Sequence, residues 1–239
     1  MATYIVYAAA GERGRPIALG LMERGHSVRA LLPSNRGRDA LLAAGVDVVA
    51  GTLTDPGSLA RASRGVDGVH LQLPVGTPPS AMLAAVRAVA DAARAGGTTA
   101  IVYTTGAPLL DGVEGGSLGA TREAAGELLA GPVPATVLMP TLYLANLMGP
   151  WTMPAILEHG VLPYPVPADH AVAWLSPEDG AAFAIAALER TEARGRSLAI
   201  AGAEAVTGPE LAARIGAALG GVVRYAPIAA TEFEASLAG

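Results

Sequence analysis

The sequence predicts an α/β protein: a doubly wound parallel sheet with a small substrate lobe interleaved towards the C-terminal end. Three observations predict it. Short apolar runs alternate with helix signals from the start of the chain. Those runs are continuously apolar, as strands must be when helices cover both faces of their sheet. A glycine-containing turn also separates the first run from the first helix, the arrangement that opens many α/β units.

Taken in order, Tyr4–Ala8 reads as a strand and Gly14–Arg24 as a helix closed by Gly25. Ser27–Leu32 is a strand, Arg38–Ala44 a helix stopped by Gly45, and Val46–Ala50 a strand. Thr54-Asp55-Pro56 opens the next helix with a capping residue followed by proline. Gly68–Leu73 is a fourth strand, Pro79–Ala95 a long helix, and Thr99–Thr105 a fifth strand. Ala120–Ala130 is helical and Ala135–Met139 a sixth strand. The rhythm changes after Pro140. Gly149 to Asp169 is rich in proline and aromatics and reads as loop and helix. Ser176-Pro177-Glu178-Asp179 and Thr207-Gly208-Pro209-Glu210 each carry a cap, a proline and a carboxylate, so each starts a helix. Ser197–Ala201 and Val222–Tyr225 read as late strands, and a last helix lies near Thr231–Leu237. The predicted division is a nucleotide-binding core over 1–143, with 171–201 returning to it, and a smaller lobe over 144–239.

Composition narrows the function. The chain has 239 residues, 51% of them hydrophobic, and a net charge of −5 without a basic block. That balance argues against nucleic acid and anionic membranes as main partners. No apolar run reaches the length of a membrane span, and nothing resembles a secretory signal, so a soluble cytoplasmic protein is expected. Cysteine is absent, and the four histidines show no ligand spacing, so no metal site is predicted. The chain has sixteen arginines and no lysine. It can therefore form no Schiff base, and no lysine can lower the pKa of a tyrosine.

The glycine turn is YAAAGERGRP, Tyr7 to Pro16. Gly11 would let the backbone approach a pyrophosphate and Gly14 would let helix and strand pack closely, as in a Rossmann-like fold. Helix-start amides favour the anion. Ala8 stands where such a turn usually has glycine; it is tolerable at negative φ and harmful if the turn needs positive φ. After the second strand, Leu32-Pro33-Ser34-Asn35-Arg36 offers no carboxylate for a ribose 2′-hydroxyl. Ser34 and Arg36, with Arg13 in the turn, suit a 2′-phosphate, which favours NADP over NAD. The expected cofactor set is Ala8, Gly11, Glu12, Arg13, Gly14, Ser34, Arg36, Thr52, Leu53, Leu73 and Thr105.

Four stretches carry a resemblance to a known family: GERGRPIALGLMERGHSVRALL, GVDVVAGTLTDPGSL, LMPTLYLANLMGPW and VPADHAVAWLSPEDGAAFAIAAL. Together they resemble the NmrA-like branch of the atypical short-chain dehydrogenases/reductases over nearly the whole chain. The resemblance implies NAD(P) on a Rossmann core, with reduction of quinones, dyes or related compounds in some members and cofactor sensing in others. The chain also departs from the pattern. Tyr7-Ala8 replaces a threonine–glycine pair, and Pro33 replaces a basic residue. Thr52 stands for an aspartate that contacts adenine, and Met139 for an arginine. The superfamily's tyrosine and lysine fall near Thr121 and Ala125. The family pattern also extends further at the C-terminal end, which implies a more open substrate cleft here.

Hydride transfer needs orientation and a proton from the protein, not a nucleophile. Tyr143, at the end of the sixth strand, is the expected proton donor, because a tyrosine without a cationic neighbour titrates near ~10 and donates better than it abstracts. Asn146, three residues on, is placed to orient a carbonyl, and Thr121 completes the catalytic candidates. Tyr103 and His70 read as packed strand residues, and Asp169-His170 as a surface loop. Pro74, Val75, Leu142, Met148, Trp151, Met153 and Tyr164 are the expected substrate lining, an apolar and partly aromatic set suited to a greasy small molecule. Three functions remain open: an NADPH-dependent reductase of a small hydrophobic carbonyl or quinone-like compound; a non-redox cyclase, isomerase or dehydratase with weakened cofactor use; and an NADP(H)-sensing regulator.

Overall fold

Seven parallel strands in the order β3-β2-β1-β4-β5-β6-β8 organise the larger part of the computed structural model. The structure describes residues 1–74, 76–106, 108–109, 112 and 114–237. The strands are β1 (Thr3–Tyr7), β2 (Ser27–Leu32), β3 (Asp47–Ala50), β4 (Gly68–Leu71), β5 (Ala100–Thr104), β6 (Ala135–Pro140) and β8 (Arg196–Ile200). Each pairs in parallel with its neighbours: Tyr4 stands opposite Val28 on one side and Gly68 on the other. All carboxyl ends therefore share one edge, and the strand order reverses between β1 and β4. The mostly parallel sheet flanked by helices is the α/β architecture the apolar pattern predicts.

Both faces of the sheet are buried, which is why β4 and β5 have no exposed residue. On one face Ile5, Tyr7, Val69, Leu71, Ile101, Tyr103 and Val137 form a core with three helices. These are α3 (Pro56–Ser63), α4 (Pro79–Gly96) and α5 (Gly116–Ala130). On the other face lie α1 (Gly14–Glu23) and α7 (Pro177–Glu189), where a methyl on Gly20 would meet Ile185 and one on Gly68 would meet Leu188. A short α2 (Arg38–Ala43) precedes β3. The cap foreseen at Asp55 forms: its carboxylate accepts from the amides of Gly57 and Ser58 at 3.0 and 3.1 Å, and these bonds hold its pKa below the usual range.

The chain divides into two units. Met1–Pro140 and Pro177–Ile200 make the first, and Thr141–Ser176 with the residues from Ala201 onward make the second. The second has its own core of Leu147, Ile156, Leu162, Tyr164, Trp174, Val206, Leu211 and Val223. Its elements are a 3₁₀ turn at Leu144–Met148, α6 (Met153–His159), β7 (Val161–Tyr164), α8 (Gly208–Leu219), β9 (Arg224–Pro227) and α9 (Ala230–Leu237). β7 and β9 form a two-stranded parallel sheet with Val161 opposite Arg224. The sequence reading places no strand at β7 and sets the later one two residues early. Pro163 and Pro227 are the reason: proline cannot donate to a ladder, and a two-stranded sheet has only edges, where it is tolerated. Thr207 and Glu210 close the foreseen capping box on α8.

Candidate functional site

Ligands of open parallel sheets lie outside the carboxyl ends, where the strand order reverses. Here that place is flanked by Ala8, directly after β1, and Gln72-Leu73, directly after β4. Ala8 has φ +62°, and no other described non-glycine residue has positive φ. The turn thus requires the conformation for which glycine is the natural choice. The Ala8 carbonyl accepts the Gly11 N–H at 2.9 Å, and a Cβ on Gly14 would lie 2.3 Å from the same oxygen. Only glycine at position 14 lets α1 start so close to the end of β1. The N–H groups of Ala10 and Glu12 have no hydrogen-bond partner among the described residues. A turn that folds back on itself and leaves amides unpaired beside a helix start is a cradle for an anion.

The loop after β2 touches this turn. Gly37, at φ +73°, would bring a Cβ within 2.9 Å of the Ala10 methyl. Ser34, Asn35 and Arg36 lie exposed in that loop, where the Ser34 hydroxyl accepts the Arg36 N–H at 3.4 Å. Sequence reasoning did not select Ala10 or Gly37; the signal was a glycine ending a Ser-Asn-Arg turn, the residue that lets two loops approach. After β3, Thr52 is exposed but braced, giving its N–H to the buried Ser58 hydroxyl at 3.2 Å and pairing its own hydroxyl with Thr54 at 3.0 Å. Leu53 and Leu73 are half-buried against the core below the edge.

Two expected site residues turn inward. Thr105 is fully buried, and its N–H and hydroxyl both donate to the Leu138 carbonyl, at 2.9 and 3.2 Å. These two donors serve β6. Thr121 is buried on α5 and gives its hydroxyl proton to the Ser117 carbonyl at 2.7 Å, with Met82 of α4 beyond. The structure bonds this catalytic candidate within its own helix. Tyr103 packs in the core, where burial pushes its pKa up to about 12. His70 is fully buried with Nε2 3.0 Å from the Thr104 hydroxyl and Nδ1 without a partner, and burial lowers its pKa to about 4.

Of the expected substrate lining, Pro74 lies exposed after β4 in the first unit, and Val75 lies outside the described residues. The others belong to the second unit. Leu142 packs on that unit's core, Met148 is 65% exposed, and Met153 begins α6. The Trp151 ring covers Gly149 and its Nε1 donates to the Asn146 carbonyl at 3.1 Å. Tyr164 is buried in the second core, edge-on to Trp174 at 5.1 Å and beside Phe233 at 5.3 Å. Tyr143 is buried with its backbone bridged to Leu175, and the 3₁₀ turn it starts stacks Asn146 one turn above it. An open groove of about 680 Å³ also lies in the first unit, between α4 and α5 and away from the glycine turn. Its Arg87 is held by Glu127.

The model of the NmrA-like family matches residues 2–237. The chain belongs to the NmrA-like family. Among its relatives, a (4-alkanoyl-5-oxo-2,5-dihydrofuran-3-yl)methyl phosphate reductase of Streptomyces griseus is 33% identical over 221 residues, 92% of this chain and 75% of that protein. An NAD(P)H azoreductase of Xenophilus azovorans is 29% identical over 238 residues, 98% of this chain and 80% of the other. The solved structure of an Escherichia coli NADPH-dependent quinone oxidoreductase, complexed with NADPH, superposes with a TM-score of 0.78 at 26% identity, covering 98% of this chain and 81% of that one. Against this NmrA-like background Ala8 has a definite meaning. It holds the turn in a backbone shape that an L-residue adopts only under strain.

Proposed function

We propose that this NmrA-like chain is an NADPH-dependent reductase of a small hydrophobic carbonyl or quinone-like compound. The observation that carries the reading is the cradle itself: unpaired amides at Ala10 and Glu12, a helix start that only Gly14 permits, and the Ser34–Arg36 loop alongside. These residues fit a dinucleotide. The amides and the start of α1 suit the pyrophosphate. Ser34 and Arg36, with no carboxylate between Leu32 and Gly37, suit a 2′-phosphate better than a free hydroxyl. The reductase names of the relatives support the same reading.

The reduced nicotinamide, when bound, supplies the hydride. The protein then has to hold the dinucleotide, keep the acceptor oriented and deliver one proton. Holding falls to the cradle. We assign the proton to Tyr143 and carbonyl orientation to Asn146. With no lysine in the chain, that tyrosine acts as a donor and not as a base.

Titration calorimetry with NADPH and NADH, followed by cofactor oxidation with a series of quinones, tests the reading. NADPH is expected to bind more tightly than NADH. Arg36→Ala removes about tenfold of the NADPH affinity, as expected for one charge-assisted phosphate contact, and leaves NADH unchanged. Tyr143→Phe lowers turnover by roughly a hundredfold or more with NADPH affinity intact. No heat of binding at millimolar NADPH overturns the proposal.

A further inference from the structure

We infer that Ala8 makes the glycine turn a strained element that a bound diphosphate tightens, so that this one residue sets the affinity for the dinucleotide. The inference rests on the dinucleotide reading of the same turn. An L-residue at φ +62° is held against its preference, at a penalty equivalent to roughly five- to thirtyfold in an equilibrium constant. The Ala8 side chain is exposed, so packing around the methyl does not enforce the conformation. Two backbone features do. On one side Tyr7 is fixed opposite Leu31 in the β1–β2 ladder, and on the other the Ala8 carbonyl holds the Gly11 N–H at 2.9 Å.

Relaxing Ala8 to negative φ swings that carbonyl away from Gly11. It then leaves the position over Gly14 that no Cβ can share, and the turn that carries the Ala10 and Glu12 amides loses its closing bond. The cradle and its relaxed form are thus two states of one turn, and the penalty at Ala8 tips the unliganded turn towards the relaxed form. A ligand that binds only the cradle has its affinity reduced by the fraction of molecules in the relaxed form. A diphosphate bonded to the Ala10 and Glu12 amides stabilises the strained state. A ligand without a diphosphate does not.

The test compares Ala8→Gly with the parent protein in three measurements: calorimetric affinity for NADPH, calorimetric affinity for adenosine 2′-monophosphate, and hydrogen exchange of the Gly11 amide without ligand. The expected result is about tenfold tighter NADPH binding, unchanged binding of the monophosphate, and slower exchange at Gly11. Equal NADPH affinity in the two proteins, or a parallel gain for the monophosphate, overturns the inference and leaves the dinucleotide reading standing. Slower Gly11 exchange with no NADPH binding by either protein overturns the dinucleotide reading, and the inference falls with it.

Discussion

His70 makes stability depend on pH, because its ring is fully buried and only Nε2 has a hydrogen-bond partner among the described residues. Folded, it titrates at about 4 against 6.5 for the free side chain, through desolvation. The native state therefore binds fewer protons than the unfolded state between those values. The stability this contributes is complete above pH 6.5 and is lost as pH falls through 4. The size is about 3 kcal/mol. His70→Gln keeps a donor towards Thr104 and does not titrate. Urea unfolding at several pH values should show the parent losing about 3 kcal/mol more than this variant between neutral pH and pH 4, whatever their stabilities at neutrality. Equal pH dependence would remove His70 from the account of acid sensitivity. At the same scale, Thr105 and Thr121 mark the limit of reading side chains from a sequence. Their positions near strand and helix ends were legible. Where their hydroxyl protons go depends on carbonyls 33 and 4 residues away.

Among the elements, the strands and helices of the first unit are the most legible part of the molecule. β4 and β5 are buried on both faces, so their apolar runs are unbroken. Asp55 and Thr207 cap their helices because each is a short polar side chain at a helix start, with a proline one or two residues on. The Thr207 box predicts its own cost. Thr207→Ala should destabilise the protein by about 1 kcal/mol in denaturant unfolding, by freeing the Glu210 amide and the carboxylate that answers it. β7 was not legible: Val-Leu-Pro-Tyr reads as loop until its partner β9, some sixty residues later, is in place. The glycine turn stood between these cases. Its position was plain from strand and helix, while the sign of φ at Ala8 was open until the backbone was seen.

The whole molecule is interleaved, with chain breaks between the units at Pro140/Thr141, Ser176/Pro177 and Ile200/Ala201. Within the first unit, α7 packs on β4 and β5, with Leu188 against Gly68, and β8 pairs with β6. Both arrive after the chain has left and returned. A fragment ending at Pro140 carries the glycine turn and six of the seven strands, but it exposes the face that α7 buries. It should therefore bind the hydrophobic dye ANS and show poor amide dispersion by NMR, whereas the full chain should not. A folded, dye-silent fragment would mean that α1 alone can close that face.

The sequence by itself determined the α/β class, the parallel sheet, the place of the glycine turn and the family, because apolar runs, caps and glycines act on neighbours a few residues away. Tertiary structure decided that Ala8 is strained, that Thr105 and Thr121 face inward, and that Tyr164 packs against Trp174 and Phe233. Each of these depends on packing against residues distant in the chain, Met82 in the case of Thr121, or on a backbone angle set by the whole turn. No local pattern encodes that.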